Sequence, residues 1–156
     1  MKRALLSGLL LTGMLFAPAH TLAGMKSAPA HTHAKEKSLY ERLGGYDAIA
    51  AVVNELAVRL VTDRKLGVYF KGLSNDSKRK LIAHLTDFVC AATGGPCIYT
   101  GRDMKTSHEG LGITEEEWER FVRITKEVLD KFKVPAREQQ ELLQAIAPLK
   151  SQIVEK

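Results

Sequence analysis

"GGPCIYTGRDMKTSHEGLGIT", residues 94–114, is the stretch on which the fold turns. It is too polar and glycine-rich for a core helix, and the roughly 17 residues from Thr93 to Leu111 exceed the usual helix connection. Helical signal within it is confined to one short segment, Met104 to His108. Thr114 closes it, opening a strong helix with Glu117 three residues on, the pairing of a capping box.

Outward from this stretch the periodicity is helical, with no convincing strand. A short element, "SLYERLG", starts at Ser38 and stops at Gly44-Gly45. The next runs from about Asp47 to Val61, with Ile49, Val52, Val53, Leu56 and Leu60 on one face. "DRKLGVYF" makes a short turn ending at Tyr69-Phe70. Asp76 or Ser77 can cap a helix whose buried face would hold Leu81, Leu85, Phe88, Val89 and Ala92, and which breaks at Thr93-Gly94-Gly95-Pro96. After Thr114 the stripe is Trp118, Phe121, Val122, Thr125, Val128 and Leu129. Pro135 suits the first turn of a last helix carrying Leu142, Leu143, Ile146, Leu149 and Ile153, which Pro148 should bend. The helices could form a plain bundle, but the long irregular segment needs apolar surface that its missing helical turns do not supply, and a large flat cofactor would supply it.

The 156 residues suit one domain once a targeting segment is set aside. Met1-Lys2-Arg3 followed by "ALLSGLLLTGMLFA" reads as a signal peptide over residues 1–23, cleaved after Ala23 or after Ala30. An uncleaved membrane anchor is the alternative, although the apolar run falls short of the roughly 18 to 20 residues of a spanning helix. Cleavage implies export, to a bacterial periplasm, with no stable membrane insertion of the mature chain. Residues 24–37 read as a flexible linker, where His31 and His33 form a weak His-x-His site on a tail. The folded domain is then 38–156. Loss of Lys2 and Arg3 takes the net charge from +5 to about +3, with acids and bases interspersed, which argues against a nucleic-acid partner. Cys90 and Cys97 flank a Gly-Gly-Pro turn. In an oxidising compartment they could close a small loop contributing about 2.5 kcal/mol, and in a reducing one they stay thiols.

His84 and His108 are then the two histidines of the folded part. His84 shares a helix face with Leu81, Leu85 and Phe88, and His108 sits on the short segment before Gly110 and Gly112. One histidine on a long helix and one on a facing short segment could hold an iron porphyrin between them, each through a neutral imidazole nitrogen. Equally, a histidine on an apolar face can be a satisfied core residue, and a loop histidine simply exposed.

Several ordered stretches resolve that choice. "LYERLGGYDAI" at 39–49, Phe70, the 94–114 segment and "AIAPLK" at 145–150 together resemble the truncated haemoglobins of group I, over about Ser38 to Val154. The resemblance implies an all-α, two-over-two helical sandwich around one non-covalent haem b per chain. It places His108 as the proximal iron ligand and Phe70 as the phenylalanine packed on the haem. Leu81, Leu85, Phe88, Met104, Trp118, Val122 and Ile146 become pocket residues. Tyr99, Arg102 and Lys105 become candidates for the haem propionates. Gly44-Gly45 and Gly94-Gly95 fall at glycine motifs that permit tight turns.

His84 falls where some cyanobacterial members carry a histidine that binds iron from the distal side. The resemblance thus implies a bis-histidine, six-coordinate resting state, the alternative being that His84 turns to a propionate or solvent. Some of those proteins also attach haem through a histidine on the last helix; no histidine follows His108, so that linkage is not expected. Members that hold oxygen tightly use a tyrosine and a glutamine where this chain has Ala57 and Leu85, so tight storage is not expected either. The function implied is reversible binding of oxygen, nitric oxide or carbon monoxide. Nitric oxide detoxification to nitrate, needing a separate reductase, and electron transfer with weak peroxidase chemistry are the alternatives to a chain that is not a dedicated enzyme. A helical interaction module without cofactor is the remaining one.

Overall fold

The computed structural model describes residues 36–156. The proposed signal segment, its cleavage sites and the His31/His33 pair lie outside the described residues. Within them every regular element is a helix: α1 (Leu39–Arg42), α2 (Gly45–Thr62), a 3₁₀ turn (Leu66–Phe70), α3 (Asn75–Ala92), α4 (Met104–His108), α5 (Glu115–Lys131), α6 (Ala136–Ile146), a second 3₁₀ turn (Ala147–Leu149) and α7 (Lys150–Ile153). No described helix is long and apolar enough to cross a membrane.

Local chemistry sets most boundaries. Ser38 and Glu41 form a reciprocal capping box at α1, as Thr114 and Glu117 do at α5. α2 starts two residues earlier than its apolar period suggests, because Gly44 (φ +96°) and Gly45 (φ +81°) both take left-handed backbone to turn the chain out of α1, and the helix runs on directly from them. There is little room for a side chain at that corner, since a β-carbon on Gly44 would lie 3.1 Å from that of Ala48. α3 is capped by Ser74, whose hydroxyl accepts from Ser77 N–H at 3.1 Å, and not by Asp76 or Ser77. Pro135 is the N-cap of α6 and not its first helical residue. Pro148 does more than bend the last helix: α6 ends at Ile146, and a 3₁₀ turn separates it from α7.

α2 packs on α3 and also on α5, and α5 packs on α6, so two helix pairs stack through α2 and α5. The core holds Ile49, Val53 and Leu60 from α2, Ile124, Val128 and Leu129 from α5, and Leu142 from α6. Leu60, Leu66 and Ile124 form a cluster onto which Leu56, Tyr69, Phe70 and Phe121 pack. The expected buried face of α3 needs correction. Thr86 and Cys90 are its buried residues, Leu81, Leu85, Phe88 and Val89 are half-buried, and Ala92 is exposed.

Two ionic contacts tie sequence-distant elements. Arg42 on α1 donates to Glu138 on α6 at 2.6 Å and pairs with Glu141. This explains how the Glu138 carboxyl is buried (8% exposed) without being left unpaired. Asp63 accepts from Arg120 Nε and Nη2 and from the backbone N–H groups of Lys65 and Leu66, so one carboxylate joins α5 to the first 3₁₀ turn.

Candidate functional site

The two domain histidines sit on elements of very different strength. His84 is in the middle of the 18-residue α3, on the half-buried apolar stripe with Leu81 and Phe88. His108 is the last residue of α4, which has only five. A helix that short cannot sustain itself and must be fastened from outside. Asp103 does so at its start: its carboxylate accepts from Thr106 N–H at 2.9 Å and from the Thr106 hydroxyl, which holds the Asp103 carboxyl below its usual range. Met104, 9% exposed, anchors the same turn in the core.

The segment between the two helices is stapled back onto α3. α3 ends at Ala92 with Thr93 as its C-cap; the Thr93 hydroxyl donates to the Val89 carbonyl at 2.7 Å, and the Gly95 N–H returns to the Cys90 carbonyl at 2.8 Å. The structure joins Cys90, fully buried, to Cys97 in a disulfide with Cα atoms 5.8 Å apart. Two residues on, the Tyr99 ring meets His84 edge-on at 6.3 Å and Phe88 at 5.2 Å between centroids. Its hydroxyl donates to the Arg102 carbonyl at 2.6 Å, one residue before α4 is capped. Burial raises the Tyr99 phenol above its ordinary pKa, with Asp103 adding to the effect, so at neutral pH it is a donor. In this structure that proton goes to the Arg102 carbonyl, and the side chains of Arg102 and Lys105 are exposed.

The histidine nitrogens carry the chemistry. Nδ1 of His108 lies 2.7 Å from the Met104 carbonyl, one helical turn back. That bond makes Nδ1 the protonated nitrogen and leaves Nε2 with a free lone pair, the tautomer of a metal-ligating imidazole oriented by its backbone. Nδ1 of His84 is buried and has no hydrogen-bond partner. A buried imidazole nitrogen without a partner is costly unless another group satisfies it. No set of three or more His, Cys, Asp or Glu side chains converges among the described residues, so a metal held here would have to bring further donors. An iron porphyrin brings four nitrogens and a flat apolar surface, and the donor set and apolar stripe of α3 fit it.

The other expected pocket residues lie on the first 3₁₀ turn, α5 and α6. Phe70 ends the first 3₁₀ turn beside the Leu60 cluster. Trp118 (8% exposed) lies on α5 with its ring 5.6 Å from that of Phe121; Val122 is half-buried, as is Ile146 at the end of α6. Ala57 is buried on α2 and Leu85 half-buried on α3. Sequence reasoning missed the Met104 carbonyl and the Arg42–Glu138 pair. The first could have been found from helical spacing, since His108 lies four residues after Met104. The second has no local signal.

A family model described as bacterial-like globin matches residues 38–155. The group 1 truncated hemoglobin GlbN of Mycolicibacterium paratuberculosis is 36% identical over 116 residues, 74% of this chain and 83% of that protein. Among solved structures, ferric truncated hemoglobin from Tetrahymena pyriformis superposes with a TM-score of 0.70 at 23% identity, covering 77% of this chain and 100% of its own. The 2/2 hemoglobin from Synechococcus sp. PCC 7002, in a cyanomet state with covalently attached heme, does so at 0.69 and 22%, over 77% and 100%.

Proposed function

Because the chain belongs to the bacterial-like globin family, as a truncated haemoglobin of group 1 with haem as its cofactor, we propose that it reversibly binds a diatomic gas at a haem held by His108 and, at rest, by His84 as well. The observation that carries the reading is the contrast between the two imidazoles: His108 Nδ1 is anchored on the Met104 carbonyl, whereas His84 Nδ1 is buried without a partner. Bound haem would supply the iron that takes oxygen, nitric oxide or carbon monoxide. The protein's part is to fix His108 through α4, to offer His84 as a ligand that competes with the gas, and to enclose the ring with Phe70, Leu81, Phe88 and Trp118. Ala57 and Leu85 contribute no hydrogen bond to the gas, which favours release over storage.

The haem in this reading is non-covalent, since no histidine follows His108 to make a late linkage of that kind. Export is part of the same proposal. It is supported by the basic and apolar N-terminal sequence and by a Cys90–Cys97 bridge of the kind that persists in oxidising compartments.

The test is the absorption spectrum of haem-loaded protein, ferric and ferrous, for wild type, His84→Ala and His108→Ala. Low-spin bands in wild type that become high-spin in His84→Ala are expected, with haem retention collapsing in His108→Ala. A wild-type protein already high-spin in both oxidation states refutes the bis-histidine resting state. Unchanged haem binding in His108→Ala refutes the proximal assignment.

A further inference from the structure

Residues that leave His108 are held by a side chain that the proposed function does not employ. After α4 the chain runs through Glu109, Gly110, Leu111, Gly112 and Ile113 to the Thr114 cap, and residues 154–156 come back along it. The Glu155 carboxylate accepts the Gly110 N–H at 2.6 Å on one oxygen and the Gly112 N–H at 2.5 Å on the other. Its own backbone N–H donates to the Ile113 carbonyl at 2.8 Å, and the Lys156 carbonyl accepts from Glu115 N–H at 3.1 Å. α7, immediately before, packs on α4. Each oxygen of one carboxylate therefore receives one amide from a five-residue connection, and hydrogen bonds to an ionised acceptor are about twice as strong as neutral ones.

We infer that Glu155 is a positioning residue for His108. α4 is fastened at its start by Asp103 and in its middle by Met104, but nothing within the helix restrains its last residue beyond its own backbone and the imidazole bond to Met104. On the far side the Leu111 N–H donates to the His108 carbonyl at 3.1 Å, and the Glu155 clamp adds to it by fixing the peptides two and four residues after His108, which limits how the end of α4 can tilt. The hydrogen bonds of Glu155 go to Gly110, Gly112 and Ile113, so it acts on His108 through this backbone. The inference rests on the reading of His108 as iron ligand.

The experiment compares wild type, Glu155→Ala and Glu155→Gln as haem-loaded protein. Amide exchange of Gly110 and Gly112, followed by NMR in the diamagnetic ferrous carbonyl form, should accelerate about tenfold or more in Glu155→Ala. In a His84→Ala background, where ferrous iron keeps one protein ligand, the iron–histidine stretching band should shift or broaden in Glu155→Ala. Glu155→Gln, which keeps one acceptor oxygen, should recover part of the wild-type band. Haemin transfer to excess apomyoglobin should quicken in the same order. Unchanged amide exchange overturns the clamp. Faster exchange with an unchanged band and unchanged haemin loss shows that Glu155 holds only the chain end, and overturns the positioning role. A stretching band that survives when His84→Ala and His108→Ala are combined overturns the reading of His108 itself, and the inference with it.

Discussion

Reduction of the Cys90–Cys97 disulfide will lower the stability of the folded domain by about 2.5 kcal/mol, almost wholly through the unfolded chain. The bridge spans a sequence separation of 7, and the chain-entropy relation gives about that figure for so short a loop. The folded side has little reason to change. The same turn is held by Gly95 N–H on the Cys90 carbonyl at 2.8 Å, Gly94 N–H on Ala91 at 3.1 Å and Tyr40 N–H on Thr93 at 2.8 Å, and these bonds outlast the sulfur link. In a urea titration followed by circular dichroism, with a slope of about 1.5 kcal/mol/M for a domain this size, the midpoint should drop by about 1.7 M while the slope holds. Haem occupancy must match in both samples, because a ligand bound to the folded state adds its own stabilisation. A non-thiol reductant is a cleaner perturbation than Cys90→Ala, which would also open a cavity at a fully buried position. A midpoint shift below about 0.3 M refutes the entropic account, and a changed slope shows that reduction alters the folded or unfolded ensemble itself.

Asp63→Asn should cost about 1 to 2 kcal/mol at pH 7, read from thermal or urea unfolding, because it weakens the two-pronged Arg120 contact and the cap on the 3₁₀ turn. Those hydrogen bonds, Arg120 first, hold the Asp63 carboxyl far below its usual range. Its folded pKa lies under the unfolded value of about 3.9, so its contribution is complete at neutral pH and fades as pH falls below about 4. The acid limb of the stability curve should therefore be shallower in Asp63→Asn than in wild type. Gly95→Ala should lose about 2 kcal/mol, since a β-carbon there would lie 2.5 Å from Tyr40 Cδ2 and 2.8 Å from the Cys90 carbonyl oxygen; an unchanged melting temperature would mean the turn relaxes freely.

Elements with strong end chemistry were legible. The Thr114–Glu117 box closes the region after α4, and Met104 to His108 comes out helical as expected, although its Asp103 cap was not read from the sequence. The start of α3 was not, because "SNDS" at 74–77 offers four residues able to cap, and only the bond from Ser77 N–H to the Ser74 hydroxyl selects among them. Burial along α3 misled for a different reason. Periodicity groups Leu81, Leu85 and Phe88 with Val89 and Ala92, but the buried residues are the small ones, Thr86 and Cys90. Thr86 spends its hydroxyl on the Ile82 carbonyl and Cys90 its sulfur on Cys97, so neither carries a polarity cost that a hydropathy pattern would assign it. Of the candidate site, elimination left His84 and His108 as the two domain histidines, and the roles proposed for them came from the resemblance. Arg42–Glu138 and the Glu155 clamp, joining residues 96 and 43 to 45 apart, leave no trace in any local window.

The apolar character of the distal positions leads to one kinetic consequence of the proposed function. If the gas meets Ala57 and Leu85, it gains no hydrogen bond there, and release is limited by the bond to iron and by competition from His84. Introducing one donor should then slow oxygen release by the worth of a single hydrogen bond, about 1.4 kcal/mol or tenfold. Leu85→Gln is the substitution to make. Leu85 is half-buried on α3, so an amide of similar length fits with little overpacking, whereas a tyrosine at Ala57, 8% exposed within α2, would have to displace core neighbours. The measurement is oxygen release by stopped flow in a His84→Ala background, so that the competing imidazole does not mask the effect. Carbon monoxide is the control: it carries less negative charge than oxygen when bound to iron and should respond less to the same donor. A tenfold slowing confined to oxygen places residue 85 beside the gas. Equal slowing of both gases means that the glutamine closes an exit path, and no effect on either places the distal face elsewhere on α3.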